Sequence, residues 1–339
     1  MSSSGPTIFS SLPFTDEDWT LLRAVAPEAV VRQTLTHDAA VAAGQMADAE
    51  IAAIYPEMDI DPAAVPKLRW IITASAGVDA MIGKPMWKSG VQVVNASGIH
   101  AHSIAELVFG MLLALRHRLP FFLRRQEEYV WSQQEKQARS AGELVGLTMG
   151  VIGYGSIGRE VGRLAKAFRM RLIATSIDAG QRRDTGFVLP TAGDCEGALA
   201  DVLAGPEFQG QLVAQSDIVV VAVPSSPATR HLIGEAELRA MKRSALLVNI
   251  ARGAVVDEQA LIRALREGWI AGAGLDVFEQ EPLPAESPLW DFDNVIVTPH
   301  IAGDSPSYWR RLMMLMAENV QRERAGQPLL NVVDKERAF

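Results

Sequence analysis

Three polar residues in the second half of the chain are of types that do acid–base chemistry, and each comes after an apolar run. Arg252 ends the stretch "SALLVNIARG", Glu281 follows "AGAGLDVFEQ", and His300 ends "NVIVTPH". An arginine offers a planar fork for a carboxylate, and a histidine exchanges a proton near neutral pH. A glutamate can fix the tautomer of that histidine and favour its charged form. Each of these residue types is also common on the surfaces of proteins. The three together suit acid–base catalysis on an anionic substrate.

The apolar runs before these residues predict strands of a parallel sheet. From Leu147 onward, runs such as "SDIVVVAVP" and "NVIVTPH" are nearly all apolar, and several are separated by helical stretches. This pattern is typical of strands that helices cover on both faces. Because ligands bind at the carboxyl edge of such sheets, we expect Arg252, Glu281 and His300 at that edge.

The N-terminal part of the chain shows the same alternation. The segments "TIFS", "EIAAIY", "LRWIITAS" and "VQVVNAS" predict strands, and "TDEDWTLLRAVA" and "THDAAVAAGQMADA" predict amphipathic helices. A length of 339 residues favours two domains of ordinary size. The sequence therefore predicts an α/β protein with parallel sheets.

The stretch "VIGYGSIGREVGRLAKAF" predicts a loop that binds the pyrophosphate of a dinucleotide. Gly153, Gly155 and Gly158 allow a tight turn from strand to helix, which brings backbone N–H groups close to a pyrophosphate. A strand pattern precedes the loop, and one apolar helix face follows it: Ile157, Val161, Leu164, Ala165 and Phe168. A glycine-rich turn in a domain without a nucleotide is the less favoured interpretation.

The position that usually identifies the cofactor is not acidic in this chain. An acidic residue about 20 positions after such a loop normally holds the adenosine ribose of NAD. Ser176 occupies this position, and Asp178 follows two residues later. This segment alone does not decide whether the cofactor is NAD, NADP or neither of them.

Composition excludes several classes of partner. A net charge of -8 and a pI near 5.4 argue against nucleic acid and anionic membrane as the main partner, because both need a basic surface. The single cysteine, Cys195, has no nearby histidine or second cysteine, so we expect no catalytic role for it. The N-terminus lacks a signal-like pattern, and no apolar run reaches about 18 residues. We expect a cytoplasmic protein without a metal site.

Three other segments carry structural expectations. A long apolar helix is predicted over about residues 103–118, ended by Pro120, and a polar helical segment follows to Ser140. Residues 179–215 form an insertion without an assigned role, with a short helix predicted near 198–203. The stretch "SPSYWRRLMMLMAENVQRERAG" predicts a closing helix whose methionines fill the core.

Several phrases in one order resemble the D-isomer-specific 2-hydroxyacid dehydrogenases. They span roughly residues 68–303 and are "SAGVD", "IAELVFGMLLALRH", "GVIGYGSIGREVGRLAKAF", "VAVPSSPATRHLI", "LLVNIARGAVVDEQAL", "GLDVFEQEPLP", "SPLW" and "NVIVTPHIAG". The family's catalytic order is Arg, Glu, His, so the resemblance implies Arg252, Glu281 and His300. Of the two glutamates in "VFEQEP", Glu281 directly precedes the proline, as in the family pattern.

The resemblance implies reversible hydride transfer between NAD(P)H and the carbonyl of a small 2-keto acid, giving a D-2-hydroxy acid. His300 would exchange the proton, Glu281 would orient His300, and Arg252 would bind the substrate carboxylate. Glyoxylate or hydroxypyruvate would be the substrate. Other positions carried over from the family are Ala76 and Gly77 as backbone donors to the carboxylate, Ser156 and Ile157 at the pyrophosphate, Pro224 and Ala251 along the cofactor, and Asp276 at the nicotinamide carboxamide.

The resemblance also implies an architecture. It predicts two doubly wound Rossmann-like domains with parallel sheets, joined by two crossing segments, with the active site in the interdomain cleft. Residues 1–102 plus 304–339 would form a discontinuous, flavodoxin-like substrate-binding domain, and residues 103–303 the dinucleotide-binding domain. The helix from Ser103 and the segment to Ser140 would form a homodimer contact. Trp131 would be buried at this contact or, as the less favoured alternative, would reach the neighbouring subunit's pocket.

Two questions stay open. A nucleotide-sensing protein that does not catalyse, like the family's corepressor branch, is the alternative function. Formate dehydrogenases carry Gln where this chain has Glu281, and extended phosphoglycerate dehydrogenases carry a regulatory domain that this sequence lacks, so both are disfavoured. Ser176 removes a carboxylate that would repel a 2′-phosphate, and Arg182 or Arg183 could bind one, so the sequence slightly favours NADP over NAD.

Overall fold

The computed structural model describes residues 5–131 and 142–337, and the chain forms two compact units. The first unit comprises residues 1–100, 185–189 and 305–339, and the second comprises residues 101–184 and 190–304. The last nine residues of the predicted dimer segment, 132–140, lie outside the described residues, as does residue 141. Each unit contains one parallel sheet.

The first unit is built on a five-stranded sheet in the order β2-β1-β3-β4-β5. Its strands are β1 (Thr7–Ser10), β2 (Val30–Gln33), β3 (Ile51–Ile54), β4 (Trp70–Thr73) and β5 (Gln92–Val94). Its helices are α1 (Asp16–Val25), α2 (Ala39–Gln45), α3 (Pro85–Lys88) and α10 (Tyr308–Arg324). The two central strands β3 and β4 are buried at every position, whereas the edge strand β2 is largely exposed.

The second unit is built on a seven-stranded sheet in the order β12-β11-β10-β9-β6-β7-β8. Its strands are β6 (Thr148–Ile152), β7 (Arg171–Thr175), β8 (Val202–Ala204), β9 (Ile218–Val221), β10 (Leu246–Asn249), β11 (Gly272–Leu275) and β12 (Val295–Val297). Its helices are α4 (Ala101–Arg116), α5 (Leu119–Glu127), α6 (Ser156–Ala167), α7 (Gln209–Gln215), α8 (Glu235–Ala240) and α9 (Glu258–Glu267). All pairs of neighbouring strands are parallel.

Both faces of this second sheet are covered, as the apolar runs predicted. Along β9, Val219 and Val221 lie in one hydrophobic cluster, and Ile218 and Val220 lie in another. Successive side chains of a strand point to opposite faces, so the two clusters are the two faces of the sheet. The predicted fold class, with two doubly wound parallel sheets, is confirmed.

The order in which strands are added to the second sheet reverses between β6 and β9. From β6 the strands run outward through β7 to β8, and the chain then returns to place β9 on the other side of β6. The connections that leave the carboxyl ends of β6 and β9 therefore run to opposite sides. Between such connections lies the crevice where doubly wound sheets bind ligands. Gly153 follows β6, and a Cβ there would lie 2.5 Å from the carbonyl oxygen of Ala222, just after β9.

Some local predictions were wrong. The helix expected near residues 198–203 is absent, and Val202–Ala204 is the strand β8, because Val202 pairs with Ile173 and Leu172 N–H donates to the Asp201 carboxylate at 2.7 Å. Tertiary pairing here overrides the helix preference of an Ala- and Leu-rich run. Strand β2 has no counterpart among the predicted strands.

The helix α4 ends two residues earlier than predicted, and Pro120 does not end it. Arg118 adopts a left-handed conformation with φ of 56° between α4 and α5. Pro120 lies in the first turn of α5, where a helix does not use the missing N–H group.

The units differ in extent from the predicted domains by one or two residues at their main boundaries, and the insertion adds a further difference. Residues 185–189 of the insertion belong to the first unit. There Phe187 is buried, and its N–H donates to Oδ1 of Asn331 at 2.9 Å. A Cβ at Gly98 would lie 2.0 Å from the carbonyl oxygen of Phe187, so the two backbones are in close contact. The chain therefore passes between the units at four positions, whereas the resemblance predicts two crossing segments.

Candidate active site

Eight of the predicted residues of the second unit lie beyond the carboxyl ends of strands of one sheet, whereas Gly155 is the N-cap of α6 and Ser156, Ile157 and Gly158 lie in its first turn. Gly153 follows β6, Ser176 follows β7, Pro224 follows β9, Ala251 and Arg252 follow β10, Asp276 and Glu281 follow β11, and His300 follows β12. Parallel strands bring these ends to a common edge. The sheet thus gathers residues that are up to 147 positions apart, from Gly153 to His300.

His300 and Glu281 form a close pair. His300 Nδ1 lies 2.7 Å from Glu281 Oε2, and the other carboxylate oxygen, Oε1, accepts from Phe278 N–H at 3.0 Å. Since a carboxylate only accepts, Nδ1 carries the proton of this bond, and Nε2 is the ring nitrogen that can face a substrate. The two side chains are 45% and 37% exposed, so water and small molecules can reach them.

Asp276 holds the segment that carries His300. Its carboxylate accepts from the Thr298 hydroxyl at 2.6 Å and from the N–H groups of Ile301 and Ala302 at 3.0 Å each. Asp276 is only 1% exposed, and its backbone carbonyl accepts from His300 N–H at 2.9 Å. His300 itself has a φ of 56°, which is uncommon for a residue with a side chain. Bonds on both sides therefore keep His300 in its left-handed conformation.

Arg252 is placed by the turn that follows β10. Asn249 bonds both sides of this turn, accepting from Ala251 N–H at 3.1 Å and donating to the Arg252 carbonyl at 3.2 Å. The Arg252 Nη1 atom donates to the Ala251 carbonyl at 2.8 Å. Next along the chain, a Cβ at Gly253 would lie 1.8 Å from the carbonyl carbon of Phe278, so only glycine fits there. This contact brings the turn after Arg252 against the segment that leads to Glu281.

The glycine loop has the shape that a pyrophosphate requires. Gly153 has a φ of +99°, and a Cβ at Gly158 would lie 2.2 Å from the Gly153 carbonyl oxygen, so both positions need glycine. At Gly155 the opposite holds, because among the described residues nothing beyond its chain neighbours lies within 4 Å of where a Cβ would stand. Gly155 is also the N-cap of α6 and supplies no capping side chain. The space next to Gly155 at this end of α6 therefore leaves room for an anionic group to approach the helix N-terminus.

The match to a known family settles the membership of the chain. Residues 109–302 match the family described as D-isomer specific 2-hydroxyacid dehydrogenase, NAD binding domain. The chain belongs to this family. The match includes the glycine loop, Arg252, Glu281 and His300.

Relatives and solved structures agree with this membership. A glyoxylate reductase of Korarchaeum cryptofilum is 38% identical over 276 residues, which cover 80% of this chain and 78% of the relative. A glyoxylate reductase of Aeropyrum pernix is 36% identical over 277 residues, with 80% and 78% covered. A D-isomer specific 2-hydroxyacid dehydrogenase from Xanthobacter autotrophicus, solved in complex with NADPH and MES, has a TM-score of 0.79 and 32% identity, covering 99% of this chain and 100% of that one. The expected family, enzyme class and NAD(P) cofactor are confirmed.

Ser176, the residue predicted to lie at the adenosine ribose, follows the carboxyl end of β7. Ser176 N–H donates to the Ala204 carbonyl at 3.0 Å, and the Ser176 hydroxyl accepts from Asp178 N–H at 3.3 Å. Of the two arginines considered for a 2′-phosphate, Arg182 donates to the Gly197 carbonyl at 2.9 Å. Arg183 is exposed and lies 3.5 Å from the exposed carboxylate of Glu196. Arg183 is therefore the less constrained of the two cations.

The predicted backbone donors lie in the first unit. Ala76 and Gly77 follow the carboxyl end of β4, and both are half-buried. The residues before them are held by bonds from Thr73 Oγ1 and Ala96 N–H to the Ser75 carbonyl, at 3.1 Å and 2.9 Å. Within residues 5–131 and 142–337, no hydrogen bond uses the amides of Ala76 or Gly77. Their role toward a carboxylate, and the cleft between the domains, remain predictions.

Sequence reasoning missed a second histidine–glutamate pair beside the first. His231 Nε2 lies 2.7 Å from Oε1 of Glu279, two residues before Glu281. The only signal in the sequence was the presence of two glutamates in "EQE", since His231 lies 48 positions away from Glu279. The structure separates the two carboxylates: Glu281 contacts His300, and Glu279 contacts His231.

The described residues hold neither a metal-binding cluster nor a membrane-spanning helix. No group of three or more histidine, cysteine, aspartate or glutamate side chains among them is arranged to hold a metal ion. In the same part of the chain, no helix has both the length and the apolar character needed to cross a membrane. Cys195 is an exposed free thiol.

Proposed function

We propose that this D-2-hydroxyacid dehydrogenase reduces glyoxylate or hydroxypyruvate, using Arg252, Glu281 and His300. The observation that carries the assignment of these residues is the 2.7 Å bond between His300 Nδ1 and Glu281 at the carboxyl edge of the nucleotide-binding sheet. The relatives named glyoxylate reductase support the choice of a small, unbranched 2-keto acid. The net charge of -8 means that such an anion needs local positive charge, which Arg252 supplies.

When bound, the nicotinamide supplies hydride to the carbonyl carbon in reduction and accepts hydride in oxidation. Arg252 binds the substrate carboxylate and polarises the adjacent ketone. His300 Nε2 gives a proton to the carbonyl oxygen and takes it back in the reverse direction. Glu281 holds His300 through Nδ1, so that Nε2 keeps one orientation during both transfers.

Other residues bind the two ligands. Ser156 and Ile157, at the start of α6, would hold the pyrophosphate, with Gly155 leaving room for its approach. Pro224 and Ala251 would line the nicotinamide. Asp276 accepts three hydrogen bonds and so retains capacity for one more donor, such as the nicotinamide carboxamide. The amides of Ala76 and Gly77 would bind the substrate carboxylate.

The preferred cofactor in this proposal is NADP. Ser176 presents no negative charge to a 2′-phosphate, and Arg183 lies on an exposed loop of the same unit. The variant Ser176→Asp should restore the repulsion and favour NADH. Steady-state kinetics with both cofactors would measure this, and an unchanged ratio of kcat/KM values would show that Ser176 does not contact the ribose.

Two properties of the whole protein complete the proposal. The chain acts as a homodimer through α5 and the residues that follow it, where several large apolar side chains are exposed. It works in the cytoplasm, in line with its acidic character and single thiol. The corepressor-like alternative is not favoured, since the relatives at 38% and 36% identity are named as reductases.

A grid of 2-keto acids against NADH and NADPH tests this proposal. Loss of nicotinamide absorbance would be followed for glyoxylate, hydroxypyruvate, pyruvate and a branched 2-keto acid. We expect the highest kcat/KM with glyoxylate or hydroxypyruvate and with NADPH. Turnover of none of the four acids, with tight binding of NAD(P)H, would instead support the corepressor-like function.

A further inference from the structure

A second histidine, outside the expected catalytic set, is bonded to the same three-residue segment as the first. The segment Glu279-Gln280-Glu281 is exposed throughout, so burial does not hold it in place. Each of its glutamates contacts one histidine at 2.7 Å, Glu281 with His300 and Glu279 with His231. Both histidines also have left-handed backbone conformations, with φ of 50° at His231 and 56° at His300.

The backbone around His231 is fixed to the segment that follows Arg252. His231 N–H donates to the Ala254 carbonyl at 2.8 Å, and two residues later Ile233 N–H donates to the Val255 carbonyl at 3.1 Å. The Asp257 N–H returns a bond to the Ile233 carbonyl at 2.9 Å. Hydrogen bonds therefore hold the backbone at His231 in place, so that its side chain can hold the Glu279 carboxylate.

Glu279 links the hydrogen-bonded backbone around His231 to the start of α9. Its carboxylate Oε1, besides contacting His231, lies 3.5 Å from the N–H of Glu258, the first residue of α9. In return, Glu279 N–H donates to Oε2 of Glu258 at 3.1 Å. Glu279 is thus held at its backbone and at its side chain by two different elements.

The cluster brings two carboxylates together, which has an electrostatic cost. Burial, and in addition the neighbouring charge of Glu279, raise the pKa of Glu258 above its usual range, although the N–H of Glu279 partly offsets this. A hydrogen-bond donor from His231 compensates the Glu279 carboxylate in this setting. Without that donor, the two carboxylates would favour a different position of the segment.

We infer that His231 is a positioning residue, which holds Glu279 and thereby fixes Glu281 against His300. The inference rests on the proposed function. Glu281 lies two residues beyond Glu279, so a shift of the held residue passes directly along the backbone to the carboxylate that orients His300. Misplacement of a catalytic group by about 1 Å can cost up to about 10²-fold in rate. His231 itself touches no reacting atom in this scheme.

The first experiment compares His231→Ala with His231→Gln in the full-length enzyme, with glyoxylate and NADPH or whichever pair the grid selects. We expect the alanine variant to lose about tenfold in kcat, with the KM for the cofactor nearly unchanged. The glutamine variant retains an N–H donor near the position of Nε2, so we expect it to recover most of the rate. A glutamine variant as slow as the alanine variant would overturn the inference.

Arg263→Gln is the matched control. Arg263 lies in α9, the helix that begins at Glu258, and its substitution breaks an exposed ion pair with Glu235. The substitution leaves His231 and Glu279 unchanged. Exposed pairs of this kind contribute little, so kcat should equal that of the wild type. Thermal unfolding of all variants would show that they are folded.

A double-mutant cycle shows whether His231 acts through Glu281. If it does, His231→Ala will reduce kcat by less than about twofold when Glu281 is already Ala, because the side chain that His231 helps to position is then absent. A full tenfold loss in that background, or wild-type kcat in the single variant, would overturn the inference. If His231→Ala does not fold, Glu279→Ala removes the same bond and replaces it in the cycle.

Failure of the inference is distinct from failure of the proposed function. A wild-type enzyme that reduces a 2-keto acid while His231→Ala does so equally well retains its function and loses only the positioning role. A wild-type enzyme without turnover on any of the acids loses both.

Discussion

His300 is held in a backbone conformation that most side chains avoid, which decides how it should be replaced. Its φ is 56°, and asparagine tolerates this region far better than alanine does. His300→Asn therefore removes the proton donor while keeping the turn and the bond from His300 N–H to the Asp276 carbonyl. The substitution separates loss of chemistry from loss of structure.

We expect His300→Asn to reduce kcat for the 2-keto acid by about 10²- to 10⁴-fold, because proton transfer to the carbonyl oxygen would depend on water. The Kd of NAD(P)H, measured by nicotinamide fluorescence, should change little, since His300 lies outside the glycine loop. A variant that keeps more than a tenth of the wild-type kcat would show that another group donates the proton.

The glycine loop contains two glycines with opposite surroundings, and they give a paired prediction. Gly155→Ala adds a methyl group in open space, so the protein should keep its stability while the Kd of NAD(P)H rises about tenfold or more. Gly158→Ala places a Cβ 2.2 Å from the Gly153 carbonyl, so it should destabilise the fold by about 3 kcal/mol.

Chemical denaturation of the apo-proteins and titration with cofactor would separate the two effects of this pair. If Gly155→Ala bound the cofactor as tightly as the wild type, the pyrophosphate would not approach α6 at this point.

A buried polar network connects helix α6 to the insertion. The Glu160 side chain, 2% exposed, accepts from Arg163 at 2.6 Å and 2.8 Å and from Gly193 N–H at 2.6 Å. The Tyr154 hydroxyl, from the glycine loop, donates to Asp194 at 2.9 Å. Burial opposes ionisation of Glu160, but Arg163, the Gly193 amide and His102 outweigh it and lower its pKa. The insertion is thereby attached to the nucleotide-binding helix.

Glu160→Gln should destabilise the protein by about 2 kcal/mol at neutral pH, because a charged acceptor of several buried bonds is lost. A lowered pKa in the folded state means that the stabilisation is complete above the usual glutamate range and disappears as the pH falls through the lowered value. In urea unfolding at neutral pH, the free energy of unfolding of Glu160→Gln should therefore lie well below that of the wild type. At about pH 3.5 this difference should be small.

The exposed Glu318, paired with Arg322 at 3.8 Å, provides the control for this prediction, and Glu318→Gln should leave the unfolding midpoint unchanged. A difference between Glu160→Gln and the wild type that grows at acid pH would contradict the assigned direction of the shift.

Local pattern predicted the strands that are covered on both faces and failed where an element depends on its neighbour. Strands such as β9 are continuous apolar runs, so periodicity alone indicates them. Strand β8 has three half-buried residues in an Ala-rich run, and its pairing with β7 makes it a strand. Strand β2, Val30–Gln33, is largely exposed, and its two valines are followed by polar residues, so it lacks the continuous apolar run of a buried strand.

The residues of the candidate site could be proposed one by one from the sequence, but the contacts among them could not. Arg252, Glu281 and His300 follow from family phrases, and the parallel sheet explains why they lie at one edge. The contact of His231 with Glu279 joins loops that are 48 residues apart, and no local pattern records it. Nor does any pattern show that 185–189 belong to the first unit, because Phe187 is bonded there by Asn331, 144 residues later.

Helix α5 and the residues directly after it, as far as Trp131, expose several large apolar side chains. They are Leu119, Phe122, Leu123, Val130 and Trp131, of which Trp131 is 88% exposed. Contiguous patches of this kind mark interfaces. A second copy of the chain is the partner we propose, and Leu123, 58% exposed, lies within the patch. Burying an aspartate at such a contact without a partner costs about 3 kcal/mol, or about a 10²-fold weaker dimer.

We therefore expect the wild type to sediment as a dimer at micromolar concentration and Leu123→Asp to sediment as a monomer. Leu35→Asp changes an even more exposed leucine, 65% exposed in the first unit, and should remain dimeric because Leu35 lies outside the patch. Analytical ultracentrifugation over a range of concentrations measures all three proteins. A wild type that is monomeric, or a Leu123→Asp variant that dimerises as tightly as the wild type, would exclude this surface as the subunit contact.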